Sequence, residues 1–167
     1  MLSGNRSLVG LRGASNAAVV ALLDRAEALL PIARGTVASL SSDAPAVIAM
    51  MFLEDSTRTR CSFETAAYRL GHQTVLLGSS GSSISKGESF LDTAETIASM
   101  GVDAIVVRTS YAGGAAMLAS HLACPVLSAG DGRNEHPTQA LLDALTLRGR
   151  LGDLTGRTIV IVGDIAN

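Results

Sequence analysis

Residues 56–60 read Ser-Thr-Arg-Thr-Arg, five consecutive side chains that each carry a hydrogen-bond donor, set between an apolar run ending near Leu53 and a helical pattern. With Ser56 as N-cap, the free amides of residues 57 to 59 and the positive end of the helix dipole point at one spot, which favours an anion. The hydroxyls of Ser56, Thr57 and Thr59 add neutral donors, and the Arg58 guanidinium can grip two oxygens of a phosphate at once. A capped helix start with a solvated arginine would account for a lone Ser-x-x-Arg. It accounts poorly for five donors in a row. Arg60 stands four residues before Glu64 and reads as half of a helix-surface pair.

Two further loops carry donors. Ser82-Ser83-Ile84-Ser85-Lys86-Gly87-Glu88 has a superficial likeness to a Walker A loop, but Gly87 follows the lysine instead of preceding it, so a nucleotide loop is rejected. Of the 13 Lys plus Arg residues, Lys86 is the single lysine, which makes a flexible ammonium-tipped loop an attractive second phosphate contact. A solvated surface loop is the plain alternative. In Gly130-Asp131-Gly132-Arg133-Asn134-Glu135-His136-Pro137-Thr138-Gln139, Pro137 suits the first helical position, which puts His136 at the cap and Gln139 one turn further on the same face. His136 has a donor able to polarise a carbonyl, and Gln139 offers an acceptor and a donor for an amide-like group. Arg108 follows the apolar run 103–107. At the end of a buried strand it needs an acidic partner or a ligand; Asp103 lies at the other end, so a ligand is the better reading.

These loops need a scaffold, and the periodicity supplies one. Apolar strand candidates at 46–53, 73–77, 103–107, 125–127 and 158–162 alternate with helical patterns near 57–70, 88–100, 112–122 and 137–150. Before them, Val19, Leu22, Leu23, Ala26 and Leu30 recur at helical spacing after Ser15 and Asn16, either of which could cap a helix over 16–33. The rhythm predicts an α/β fold: a parallel sheet with helices on both faces, in three α/β/α layers. Ligands in such sheets sit beyond the carboxyl ends of the strands, where the donor loops lie. The predicted division is a first domain over 1–134, then an interdomain helix and first strand over 135–167 that begin a second, truncated α/β domain. The strand at 158–162 is expected to be the least secure part of the fold, for want of neighbours.

Composition narrows the ligand. A chain of 167 residues with 47% hydrophobic content can bury one good core, and a net charge of −2 offers no broad footprint for nucleic acid or an anionic membrane. The expected ligand is therefore a small anion held locally. Cys61 and Cys124 have no paired spacing, which suggests reduced thiols in a cytoplasmic protein, and neither a signal peptide nor a membrane anchor is read.

From about Met51 onward the chain resembles the aspartate and ornithine carbamoyltransferase family, on the Ser56–Arg60 loop followed by Ser62-Phe63-Glu64. Lys86-Gly87-Glu88, Ala129-Gly130-Asp131-Gly132 and His136-Pro137-Thr138-Gln139 resemble its aspartate branch; the ornithine branch typically has cysteine at the Thr138 position and lacks the lysine. The resemblance implies carbamoyl transfer from carbamoyl phosphate to L-aspartate, in de novo pyrimidine biosynthesis, with no metal and no organic cofactor. It implies that Ser56, Thr57, Arg58 and Thr59 hold the phosphate, that Thr59, Arg108 and His136 surround the carbonyl oxygen, and that Gln139 meets the carbamoyl nitrogen. Arg58, Thr59, Arg108 and His136 are then the catalytic set. It also implies a homotrimer in which Lys86 and a serine, Ser83 or its rival Ser82, act on the neighbouring subunit's site. The amino-acid domain of the family would lie beyond residue 167, so L-aspartate would bind only with that second domain, and the chain alone is expected to be inactive. The alternatives are an ornithine carbamoyltransferase and a non-catalytic binding or assembly module.

Overall fold

The computed structural model describes residues 7–40, 43–78 and 87–163. Four strands, β1 (Val47–Phe52), β2 (Gln73–Gly78), β3 (Ala104–Thr109) and β4 (Val126–Asp131), form one sheet in the order β2-β1-β3-β4. Every pairing between neighbours is parallel. Parallel strands need crossovers, and these are α3 (Thr57–Arg69), α4 (Phe90–Ser99) and α5 (Gly114–His121); α1 (Asn16–Ala28) and α2 (Leu30–Ala33) precede the sheet and α6 (Pro137–Leu151) follows it.

β1 and the first four residues of β3 read as unbroken apolar runs because both faces are covered there, whereas β2 lies at the sheet edge with residues 73–76 exposed. One set of alternating side chains, Ala49, Met51, Ile105, Val107 and Val126, packs with Ala94 of α4 and with Ala115 and Leu118 of α5. The opposite set, Met50, Phe52, Val106 and Ala129, packs with Ala67 of α3. The three-layer α/β/α arrangement expected from the rhythm is thus present. From β1 the chain steps outward to β2 and then crosses back to β3 on the other side. The carboxyl ends of β1 and β3 therefore flank a switch point, where helices leave in opposite directions and open a crevice.

Two expectations need correction, and a third feature was not foreseen. The helix predicted over 16–33 is broken at Leu29 into α1 and α2. Pro31 has no N–H to give and its ring crowds the carbonyl four residues back, so the helix cannot run through. Its N-terminal half matches: Ser15 caps it, accepting from the Ala18 amide at 3.2 Å. Second, Thr158–Val162 forms no strand. Ile159, Val160, Ile161 and Val162 are 60–91% exposed, and no described segment pairs with them. A strand exists only within a ladder, and apolar sequence alone does not supply the partner.

Third, the outer edge of β4 carries a pairing that periodicity did not reveal. Leu8 bridges Leu127 in parallel, with the Leu8 amide donating to Val126 O at 2.9 Å and the Ser128 amide to Leu8 O at 2.8 Å. The buried Ser7 hydroxyl accepts from the Val126 amide at 2.9 Å. This single residue covers an edge that would otherwise expose backbone groups. On the outside, Arg148 of α6 clamps α1, donating to Asp24 Oδ1 at 2.6 Å and Glu27 Oε2 at 2.7 Å.

Candidate active site

Ser56 is the N-cap of α3, and its hydroxyl makes no capping bond. The first intrahelical acceptor use is the Arg60 amide donating to Ser56 O at 3.0 Å, so the amides of residues 57 to 59 have no helix partner. Ser62 Oγ donates to Thr59 O at 2.8 Å, tightening this first turn. Arg58 is exposed and forms no ion pair among the described residues, leaving its guanidinium available. Arg60 reaches Glu64 only loosely, at 3.9 Å.

Arg108 enters from β3. Its Nε lies 3.2 Å from Glu54 Oε2, just past the end of β1, and its Nη1 donates to Ala129 O at 3.1 Å. An acidic partner therefore exists after all. Glu54 follows an apolar strand as Arg108 does, so the reasoning that singled out Arg108 applied to it equally. The β3–β4 register explains how the guanidinium fits. Val107 opposes Ser128 and Thr109 opposes Asp131, so β4 carries one extra residue there, a bulge that opens the sheet edge. Gly130 lies in it at φ 110, and a Cβ at that position would fall on the Arg108 guanidinium. No L side chain suits either the conformation or the space.

His136 is the N-cap of α6, with Pro137 opening the helix. Burial pushes its imidazole below the ordinary value, the Arg108 charge pushes the same way, and Asp143 opposes both. The ring is therefore neutral at pH 7, with one donor and one acceptor nitrogen, and its Nδ1 is buried without a partner among the described residues. Gln139 spends its amide N–H groups on Asp143, at 3.2 Å to each carboxylate oxygen. That leaves the Gln139 carbonyl oxygen free to accept from an N–H.

Ser56, Thr57, Arg58, Thr59, Arg108, His136 and Gln139 all line one cavity of about 900 Å³ at the carboxyl edge of the sheet. Asp55, Ser62, Phe63, Ala66, Thr138 and Leu142 complete its wall. Groups more than 70 residues apart in sequence thus share one space. Ser83 and Lys86, with Ser82, lie outside the described residues.

The carbamoyl-P binding domain model of aspartate/ornithine carbamoyltransferases matches residues 6–149. The chain belongs to the aspartate/ornithine carbamoyltransferase family. It is 49% identical over 160 residues to the aspartate carbamoyltransferase catalytic subunit of Myxococcus xanthus, covering 96% of this chain and 53% of that protein. With the catalytic subunit of Agrobacterium fabrum it shares 45% over 161 residues, covering 96% and 51%. The chain spans about half the length of the curated relatives it matches. The Trypanosoma cruzi aspartate transcarbamoylase in complex with carbamoyl phosphate superposes with a TM-score of 0.79 at 37% identity, covering 89% of this chain and 46% of that one. The same enzyme with carbamoyl aspartate and phosphate gives 0.80 at 37%, covering 91% and 47%. These relatives carry the aspartate name, which does not favour the ornithine alternative. Among the described residues, no helix is long and apolar enough to cross a membrane.

Proposed function

We propose that this chain is the carbamoyl-phosphate-binding half of an aspartate carbamoyltransferase, which transfers the carbamoyl group to L-aspartate and releases phosphate in de novo pyrimidine biosynthesis. The observation that carries the reading is the convergence of the α3 N-terminus, Arg108, His136 and Gln139 on a single cavity. The amides of residues 57 to 59, the hydroxyls of Ser56, Thr57 and Thr59, and Arg58 hold the dianionic phosphate. Thr59, Arg108 and neutral His136 aim donors at the carbonyl oxygen, and the Gln139 carbonyl accepts from the carbamoyl nitrogen. Attack by the aspartate amine puts negative charge on that oxygen as the tetrahedral intermediate forms. Donors already in place stabilise it without reorganisation. The intermediate then collapses with cleavage of the bond from the carbonyl carbon to the phosphate oxygen, and phosphate departs toward Arg58 and the helix amides, taking up the proton lost by the amine.

The finer parts of the reading belong together. The carbamoyl-phosphate domain spans 1–134, and 135–167 start the aspartate-binding domain that completes the substrate site. The enzyme is a cytoplasmic homotrimer in which Ser83 and Lys86 complete the neighbouring subunit's cavity. Calorimetric titration of the full-length protein with carbamoyl phosphate tests the binding role. Arg58→Ala should weaken it about ten- to hundredfold, the worth of a charge-assisted bidentate grip. Equal affinity in the folded variant refutes the assignment. Activity with aspartate and with ornithine then separates the two branches, and activity with neither favours a non-catalytic module.

A further inference from the structure

The bulge that seats Arg108 ends at Asp131, a fully buried carboxylate that lines no part of the cavity wall. Its two oxygens take four donor contacts. Oδ1 accepts from the Glu135 amide at 2.8 Å and from Asn134 Nδ2 at 3.3 Å. Oδ2 accepts from the Gly113 amide at 2.9 Å and from Asn134 Nδ2 at 3.1 Å. The Asp131 amide donates in return to Glu135 O at 3.1 Å, so both backbone groups of Glu135, the residue directly before His136, are held by Asp131.

The Gly113 bond reaches the other catalytic loop. Gly113 is the N-cap of α5, in left-handed backbone, and ends the β3–α5 connection that begins just after Arg108 and Thr109. The two loops touch so closely that a Cβ on Gly132 would lie 2.5 Å from Ser110 O. One carboxylate thus joins the loop leaving Arg108 to the loop arriving at His136.

We infer that Asp131 is the positioning residue of the site, a buried staple between these two loops that fixes His136 against Arg108. A purely structural role would need the buried acid to cap α5 only. The bonds to both backbone groups of Glu135, and the choice of an acceptor-only side chain facing donors alone, go beyond that. An asparagine of the same shape must turn its NH₂ toward either the Glu135 or the Gly113 amide, setting donor against donor. The loop to His136 then loosens, and the ring gains water and distance from Arg108. The charged groups acting on the imidazole are Arg108 and Asp143, with Glu54 paired to the former, and none of them bonds to Asp131.

The test is Asp131→Asn in the full-length protein, read by NMR titration of the histidine Cε1–H signals, with His136→Gln to assign the resonance. The catalytic arm rests on the proposed function; the titration arm needs no ligand. The expected result is a His136 titration below the ordinary value in the parent protein that moves upward in the variant. With it, kcat falls about ten- to hundredfold, the cost of a small misplacement at a reacting centre, and KM for carbamoyl phosphate changes less than about threefold. A folded variant with a lower melting point but an unmoved His136 titration overturns the inference. If Asp131→Asn fails to fold, Asn134→Ala removes only the side-chain donor; a smaller upward movement supports the staple, and a titration identical to the parent's overturns it. Should the parent protein show no Arg58-dependent carbamoyl phosphate binding, the proposed function fails while the titration still decides the role of Asp131.

Discussion

Gly130→Ala isolates the packing on which Arg108 depends. Two costs are separable in the structure. An alanine at φ 110 pays backbone strain of about 1–3 kcal/mol. Its Cβ also displaces the Arg108 guanidinium from Ala129 O, its 3.1 Å partner, and from Glu54; a hydrogen bond to a charged group is worth about 1.5–3 kcal/mol. Gly101 provides the matched control. It too has positive φ, at 86, yet a Cβ there meets nothing within 4 Å, so Gly101→Ala pays only the strain. In urea unfolding, Gly130→Ala should destabilise by roughly 2.5–6 kcal/mol and exceed Gly101→Ala by the value of the lost Arg108 contacts, about 1.5–3 kcal/mol. Carbamoyl phosphate affinity should fall about tenfold for the first and stay unchanged for the second. Equal destabilisation and equal affinity for the two variants would refute the reasoning, because Arg108 would then not occupy the space beside Gly130.

The lowered His136 value makes stability pH-dependent with a definite sign. Between the folded value and the ordinary 6.5, the unfolded chain binds more protons, so the contribution is fully present above 6.5 and is lost as pH falls through the folded value. Urea midpoints from about pH 5 to about pH 8 should rise through that window, and His136→Gln should flatten the rise. Leu118→Ala leaves a cavity where α5 packs on the sheet, at a fully buried position, and should cost about 2–5 kcal/mol in the same assay. Arg148→Ala should release α1 from α6 with a small loss of thermal stability that shrinks as salt is raised; a salt-independent loss would mean that the aliphatic stem, not the ion pair, carries the contact.

Much of the candidate site was legible because its chemistry is local. A helix start followed by hydroxyls and an arginine shows its cluster of donors in the sequence itself, and Pro137 at the first helical position places His136 at the N-cap. The same holds for the strands: Val47–Phe52 and the stretch 104–107 are apolar on both faces, so their runs are visible without knowing what covers them. Locality also explains the failures. Thr158–Val162 has the composition of a strand, but a ladder requires a neighbour, and none of the described residues provides it. Leu8 forms a bridge with no periodic signal at all, since one residue has no period.

Sequence alone determined which groups are chemically suited to an anion and which segments alternate as strand and helix, because donor type, capping and periodicity are properties of neighbouring residues. The tertiary structure decided that Arg108 has an acidic partner in Glu54, that Gly130 must lack a side chain, and that Asp131 joins two loops. Each of these depends on which strands lie side by side and in what register. A parallel sheet sets its register across crossovers many residues long, so the spacing of residues along the chain does not contain it.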